Sequence, residues 1–225
     1  NLLVMFRLMY SGMTDLQEEI LSSYIQKAYA GKGISDATNT NDLTVTDFPT
    51  LQDLYDLIEQ DRDEDTYLYE SMQDFHTTLK TYVTGMYSEL FNGYTNINID
   101  NELVCYDLKE MSNNEKIQRI LFYNILSHTT YEIMSGDRKP SEIFIDEAHV
   151  IADPKVPKAM EFIYFMMKVL RSFNCGITTA SQSVEDFLSA RDENRNYGKA
   201  IITQSIQRLY LPMSEEELKY LEEEL

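Results

Sequence analysis

The sequence predicts an α/β protein: a largely parallel, partial sheet covered by helices, preceded by an all-helical part. Three observations carry this. From residue 102 onward, strand-like and helix-like stretches alternate. Before that point the spacing is helical. It is clearest at Leu68, Met72, Phe75, Leu79, Tyr82, Met86 and Leu90, which share one stripe at intervals of four and three. Finally, Ile143-Phe144-Ile145, three β-prone apolar residues behind the breaker Pro140, reads as a strand buried on both faces. The expected division is a helical subdomain over residues 1–98 and a sheet-containing core over residues 99–225.

Taken in order, the chain opens on an apolar helical pattern that Gly12 closes. Thr14 with Gln17 forms a capping box for a second helix carrying Leu16, Ile20, Tyr24 and Ala28, and Gly31 and Gly33 stop it. Residues 32–47 are polar, a loop with at most a short strand around 43–45. Thr50 opens a helix over 51–60 that runs into a charged stretch at 59–65. One long helix follows through Leu90, ended by Asn92-Gly93. Residues 103–108 then read as a strand ending in Asp107. Ser112 with Glu115 caps a helix bearing Ile117, Ile120, Leu121, Phe122, Ile125 and Leu126. After the strand at 141–145, Pro157 starts a helix over 158–173 that is apolar almost all round, so it packs on more than one side. Residues 175–181 form another strand, and Ser183 with Asp186 caps a short helix over 184–190. Residues 199–203 and 207–211 are both strand-like. Ser214 with Glu217 caps a last acidic helix.

Composition bounds the function. The chain has 225 residues, 43% of them hydrophobic, ample for a core. A net charge of −19 argues against a surface broadly adapted to phosphate backbones, although it leaves room for a local basic groove. Lys155, Lys158, Lys168 and Arg171 would form such a strip, or simply a solvated helix face. Cys105 and Cys175 both sit in apolar segments and read as reduced, buried thiols of a cytosolic protein. The apolar run at residues 2–10 contains Arg7 and falls well short of the ~20 residues that cross a bilayer. Beginning inside a helical pattern with no cap, the sequence reads as cut from a longer chain.

The chemistry concentrates where the strand at 141–145 ends in Asp146-Glu147-Ala148-His149. An apolar strand delivering two adjacent carboxylates at its C-terminal edge is the pattern of a Walker-B motif. In that chemistry Asp146 holds the Mg2+ that bridges the outer phosphates of ATP, and Glu147 polarises the attacking water. A solvated acidic turn is the alternative. Ser181-Gln182 ends the next strand, at the edge of a parallel sheet where ligands gather. Gln182 would contact both the γ-phosphate and the water there; alone, it is a polar residue at a helix entry. Arg171 and Arg208 are rival candidates for an arginine finger reaching a neighbouring subunit's phosphates, with helix-dipole complementation the plainer role for Arg171. Asp107 is a strand-end carboxylate, and His149 a structural hydrogen-bonder. No Gly-x-x-x-x-Gly-Lys-[Ser/Thr] loop is present. Gly31-Lys32-Gly33-Ile34-Ser35 has the wrong spacing and follows a helix, so it reads as a helix stop. The phosphate cradle is expected to lie before Asn1, and this fragment alone is expected to be inactive.

The order of segments resembles a known family. Gly85-Met86-Tyr87 and Leu90-Phe91-Asn92-Gly93-Tyr94-Thr95-Asn96 come first. The Asp-Glu-Ala-His strand, Arg171-Ser172-Phe173-Asn174-Cys175-Gly176 and Ser181-Gln182-Ser183-Val184-Glu185-Asp186 follow. Together they resemble the C-terminal ATPase domain of the conjugation and type IV secretion ATPases (TraC/TraE/TrsE-like), relatives of the HerA/FtsK pumps. The resemblance implies a RecA-like P-loop NTPase core with a helical insertion. It further implies Asp146 and Glu147 as the Walker-B pair, Gln182 as sensor, and Arg171 and Arg208 in arginine-bearing segments. ATP and Mg2+ are the implied cofactors. Other secretion-apparatus subunits and further copies of the chain, a hexamer among the assemblies, are the implied partners. The implied place is the cytoplasmic face of the cell membrane, with pilus assembly or DNA or protein transfer as the task. Two other readings stand beside it: a HerA/FtsK-like DNA pump or helicase, and a non-catalytic scaffold that keeps the fold.

Overall fold

The computed structural model describes residues 2–39, 42–96, 101–111, 113–152, 155–182, 184–189, 191 and 195–224. It divides into two compact units, residues 12–106 and residues before 12 together with those from 107 onward.

The first unit is helical. Helix α2 (Asp15–Gly31) begins at the expected box: the Gln17 amide donates to Thr14 Oγ1 at 3.2 Å, and the Thr14 amide to Gln17 Oε1 at 3.0 Å. Its buried stripe is Leu21, Tyr24 and Ala28, whereas Leu16 faces solvent. Lys32 and Gly33 (φ +76) close it, as a stop requires. Helices α3 (Leu51–Glu64) and α4 (Thr66–Val83) meet at Asp65, which ends the first and caps the second by accepting from the Leu68 amide at 3.0 Å. The pair packs closely through Leu54, Ile58, Met72, Phe75 and Leu79. The expected single helix through Leu90 breaks after Val83. A Cβ on Gly85 would stand 2.7 Å from the Thr81 Cα, so only glycine lets the chain wrap back, its amide donating to Lys80 O at 3.0 Å. A short helix α5 (Ser88–Phe91) follows, and Met86 and Leu90 leave the stripe for solvent. Asn92 fastens the turn, donating to Val83 O at 3.0 Å and accepting from the Gln52 amide at 3.1 Å.

His76 is buried in this unit, stacked on Tyr55 at 4.1 Å between ring centroids, with Nε2 3.3 Å from Glu59 Oε2. Neither of these two atoms completes a hydrogen bond. Burial pushes the His76 pKa below the ordinary histidine value, outweighing the pull of Glu59 in the other direction. The unfolded chain therefore binds more protons than the folded one just below pH ~6.5. The contribution of His76 is complete above that value and is lost as pH falls through it toward the depressed folded value. Urea midpoints of the protein, measured against its His76→Phe variant, are expected to hold a constant gap above neutrality. Wild type should then lose ground below pH ~6.5; a gap that widens in its favour would refute the assignment.

The second unit holds α1 (Leu2–Met9), which packs on α6 (Glu115–Ser135) rather than with the helical subdomain where the sequence placed it. Residues 103–108 form no strand. Leu103 is exposed, and so is Cys105, against expectation; Asp107 accepts from the Lys109 amide at 2.9 Å to start a 3-10 turn instead of ending a strand. The described N-cap of α6 is Asn114, accepting from the Ile117 amide at 3.2 Å; Ser112, expected there, lies outside the described residues. Strands β1 (Ser141–Ile145) and β2 (Cys175–Thr179) make a parallel two-stranded sheet, so the architecture is α/β with helix predominating. β1 is buried on one face only: Ile145 is inside while Phe144 is 76% exposed. Cys175 is buried, which raises its thiol pKa. Helix α7 (Lys158–Val169) buries Ala159, Met160, Phe162, Ile163 and Met166, and continues as a 3-10 turn through Phe173. Helix α8 (Val184–Ser189) follows; the cap expected from Ser183 lies outside the described residues.

Residues 199–203, expected as strand, belong to helix α9 (Tyr197–Gln204). Asn196 caps it, accepting from the Lys199 amide at 2.8 Å, and Tyr197 and Ile201 supply an i, i+4 pair to the core beside α7. Tertiary packing overrides the β preference of Ile201-Ile202-Thr203. Residues 207–211 are exposed and in no strand among the described residues. Helix α10 (Glu215–Glu224) starts at the expected cap, with the Ser214 hydroxyl and amide 2.8 and 3.0 Å from Glu217 Oε2.

Candidate functional site

The register places Ser141 opposite Cys175 and Ile145 opposite Thr179. Pairing continues one step beyond the strands. The Ala180 amide donates to Ile145 O, and the Ala148 amide to Ala180 O, both at 2.8 Å. Both chains therefore leave the sheet at the same edge, and the residues that follow stand side by side. After β1 the turn is sharp. Glu147 has φ 52 and ψ 45, a left-handed conformation that costs a non-glycine residue about 1–3 kcal/mol. A 3-10 turn, Ala148–Ile151, then carries the chain away.

Within this turn the Gln182 side-chain amide donates to Glu147 Oε1. Glu147 Oε2 is shut off from solvent and lies 3.2 Å from His149 Nδ1. Ser181 Oγ stands 3.2 Å from the same ring nitrogen. Asp146 is exposed at the strand edge, its Oδ1 accepting from the Glu147 amide at 3.0 Å. The structure thus brings Asp146, Glu147, Ser181, Gln182 and His149 together. Its two acids differ in setting, one open to a ligand and one bound by Gln182 through Oε1 while its buried Oε2 completes no hydrogen bond.

The arginines lie elsewhere. Arg171 is exposed in the 3-10 turn that feeds the start of β2. Five residues at ~3.3 Å each put the length of that strand, roughly 16 Å, between it and the edge bearing Gln182. Arg208 is exposed beyond α9, in what proves to be no strand, and donates to Thr203 O at 3.4 Å. Neither joins the Glu147 cluster of its own chain. Lys168, from the expected basic strip, instead lies 4.9 Å from the Tyr164 ring centroid, with Arg195 at 5.0 Å. These cations hold the Tyr164 phenol below its ordinary pKa, Lys168 most of all through a hydrogen bond. Sequence reasoning missed both Arg195 and the direct contact of His149. The second was signalled by spacing, since a tight turn after Glu147 returns the residue two positions on toward it.

The donor set suits magnesium in kind. Mg2+ takes oxygen ligands, keeps several waters and is held through one or two carboxylates plus substrate phosphates. Asp146 presents such an oxygen. Among the described residues no group of three or more His, Cys, Asp or Glu side chains could hold an ion unaided, so phosphate oxygens and water would complete the shell. The look-alike phosphate loop takes no part: Lys32 pairs with Asp53 at 2.9 Å, within the helical unit.

No family model and no curated protein matches the chain. Among solved structures it matches VirB4 of Thermoanaerobacter pseudethanolicus with a TM-score of 0.90 and 25% identity. That match covers 99% of this chain and 59% of VirB4, so the chain spans less than two thirds of that protein. In fold, over nearly its whole length, the chain is similar to the C-terminal ATPase domain of a VirB4/TraC-like protein.

Proposed function

We propose that the chain is the Walker-B-bearing part of a type IV secretion ATPase, a motor that couples ATP hydrolysis to pilus assembly or to DNA or protein transfer. The observation that carries this is the juxtaposition of Glu147 and Gln182 across the C-terminal ends of two parallel strands, with Asp146 exposed beside them. The likeness to VirB4 supports it. In this reading β1 and β2 belong to a RecA-like core, expected over residues 99–225, and the helical unit is an insertion in it, expected over residues 1–98. Asp146 holds the Mg2+ of Mg-ATP, which supplies the phosphoryl electrophile and neutralises charge on the outer phosphates. Glu147 orients and polarises a water. Gln182, bound to Glu147, links that carboxylate to the end of β2. Because Arg171 lies at the opposite end of β2, its part as a finger is toward a neighbouring copy, which calls for a homo-oligomer such as a hexamer; Arg208 is the second candidate. Other secretion subunits are the partners, at the cytoplasmic face of the membrane. No helix among the described residues is long and apolar enough to cross a bilayer.

Metal removal tests the reading. A protein carrying this chain together with a Gly-Lys-[Ser/Thr] loop is expected to release phosphate from ATP, to stop when EDTA is added, and to resume with excess Mg2+. Absence of any turnover would favour the scaffold reading, and turnover indifferent to the metal would refute the role assigned to Asp146.

A further inference from the structure

We propose that Arg119 is a positioning residue for Glu147, acting through the backbone of Val150. Its effect on turnover rests on the ATPase reading; its hold on the turn rests on geometry alone. Arg119 lies in the second turn of α6, half-buried beside the inward-facing Ile117 and Ile120. Its Nε donates to Val150 O at 2.9 Å, across 31 residues of sequence. The Val150 amide in turn donates to Glu147 O, also at 2.9 Å. Two hydrogen bonds thus join α6 to the residue that bears the carboxylate. Val150, between them, is bonded at both of its backbone groups.

The turn needs such a hold. Glu147 sits in the left-handed region, and a residue with a side chain stays there only where its surroundings fix it. Ala148 and Ile151, both fully buried, seat the turn on the core, and α6 packs against it. Apolar burial sets the depth of a turn without setting the tilt of its peptide groups, which hydrogen bonds must do. From the sheet side, Ala180 O accepts from the Ala148 amide at 2.8 Å, and Ser181 Oγ meets His149 Nδ1 at 3.2 Å. At the far end, the last carbonyls of a helical turn run out of donors within it. There a guanidinium supplies one. Hydrogen bonds from a charged donor are roughly twice as strong as neutral ones, and arginine keeps its charge at any working pH. Without this bond the Val150 peptide can tilt toward solvent. The backbone of Glu147 then loses one of the contacts that fix where its side chain leaves the sheet edge, and Gln182 meets a carboxylate whose root has shifted.

Two substitutions separate the donor from the stem that carries it. Arg119→Gln puts an N–H the same number of bonds from the backbone as Nε, without the charge. Arg119→Met keeps the length of the stem and has no donor. In this chain, amide hydrogen exchange is read at Val150, with Ala180, whose amide donates to Ile145 O in the sheet ladder, as the reference. Arg119→Met is expected to speed exchange at Val150 by about 10-fold or more and to leave Ala180 unchanged. Arg119→Gln should stay close to the parent at both. Equal speeding at the two amides marks a general loosening and overturns the proposal. So does a Val150 amide indifferent to Arg119→Met, or an Arg119→Gln variant that behaves like Arg119→Met. In the phosphate-loop-bearing protein, Arg119→Met is expected to lower kcat by about 10-fold with KM for ATP unchanged, the low end for residues that orient a working group. Arg119→Gln should recover most of that rate. A risen KM with kcat unchanged, or a methionine variant as fast as the parent, overturns the positioning role. Failure of the ATPase reading is told apart by Glu147→Gln, which would then leave turnover intact, and exchange at Val150 still decides the hold on the turn.

Discussion

Glu147→Gln, made in a protein that carries this chain and a phosphate loop, is expected to lower ATP turnover by about 10²–10⁴-fold while nucleotide binding persists. The substitution keeps side-chain length and keeps an oxygen able to accept from Gln182. What it removes is the negative charge that polarises a water, and it adds an N–H that faces either Gln182 or His149. Binding persists because Asp146, the carboxylate assigned to the metal, is a separate and exposed group. Asp146→Asn is the informative companion: it should weaken Mg-dependent nucleotide binding itself. Single-turnover hydrolysis and equilibrium titration with a fluorescent ATP analogue separate the two. Turnover in Glu147→Gln equal to that of the parent would remove the basis for placing chemistry at this edge.

The site was legible because its signals are local and mutually consistent. Pro140 marks the break, Ile143 and Ile145 favour extended backbone, and two charged residues cannot continue inward, so Asp146 and Glu147 must stand at the edge. A second strand at 175–181 brings Gln182 to the same edge once the sheet is parallel, and the register does so. Capping boxes at Thr14 and Ser214 were legible for the same reason, each being complete within four residues. What escaped depends on distant packing. Residues 199–203 have β-prone side chains, yet the burial of Tyr197 and Ile201 alongside α7 makes them helical. Residues 103–108 and 207–211 look like strands but have no strand partner among the described residues, and an apolar stretch cannot become a strand alone. The exposed Phe144 belongs with them: a β1 read as buried on both faces is covered on one. The helical stripe from Leu68 to Leu90 is the instructive case, since its period runs on past the point where the helix stops.

That stop yields the second large effect. Phe75 is fully buried between α3 and α4, so Phe75→Ala removes a ring from the core of the helical unit and is expected to cost about 3–5 kcal/mol. Met86 occupies an equivalent place in the stripe by spacing, eleven residues on, but follows the break at Gly85 and is 79% exposed. Met86→Ala should therefore stay within about 0.5 kcal/mol of the parent. The difference arises from one backbone contact. If the helix ran straight through Gly85, Met86 would lie on the same buried face as Met72, Phe75, Leu79 and Tyr82, and its truncation would cost about 2–5 kcal/mol. Urea unfolding followed by far-UV circular dichroism reads both variants against the parent. Comparable losses at the two positions would mean that α4 continues to Leu90 and that the wrap of Gly85 around Thr81 is wrong. A large loss at Phe75 alone would show that the helix ends before Met86 although the apolar pattern runs on past it.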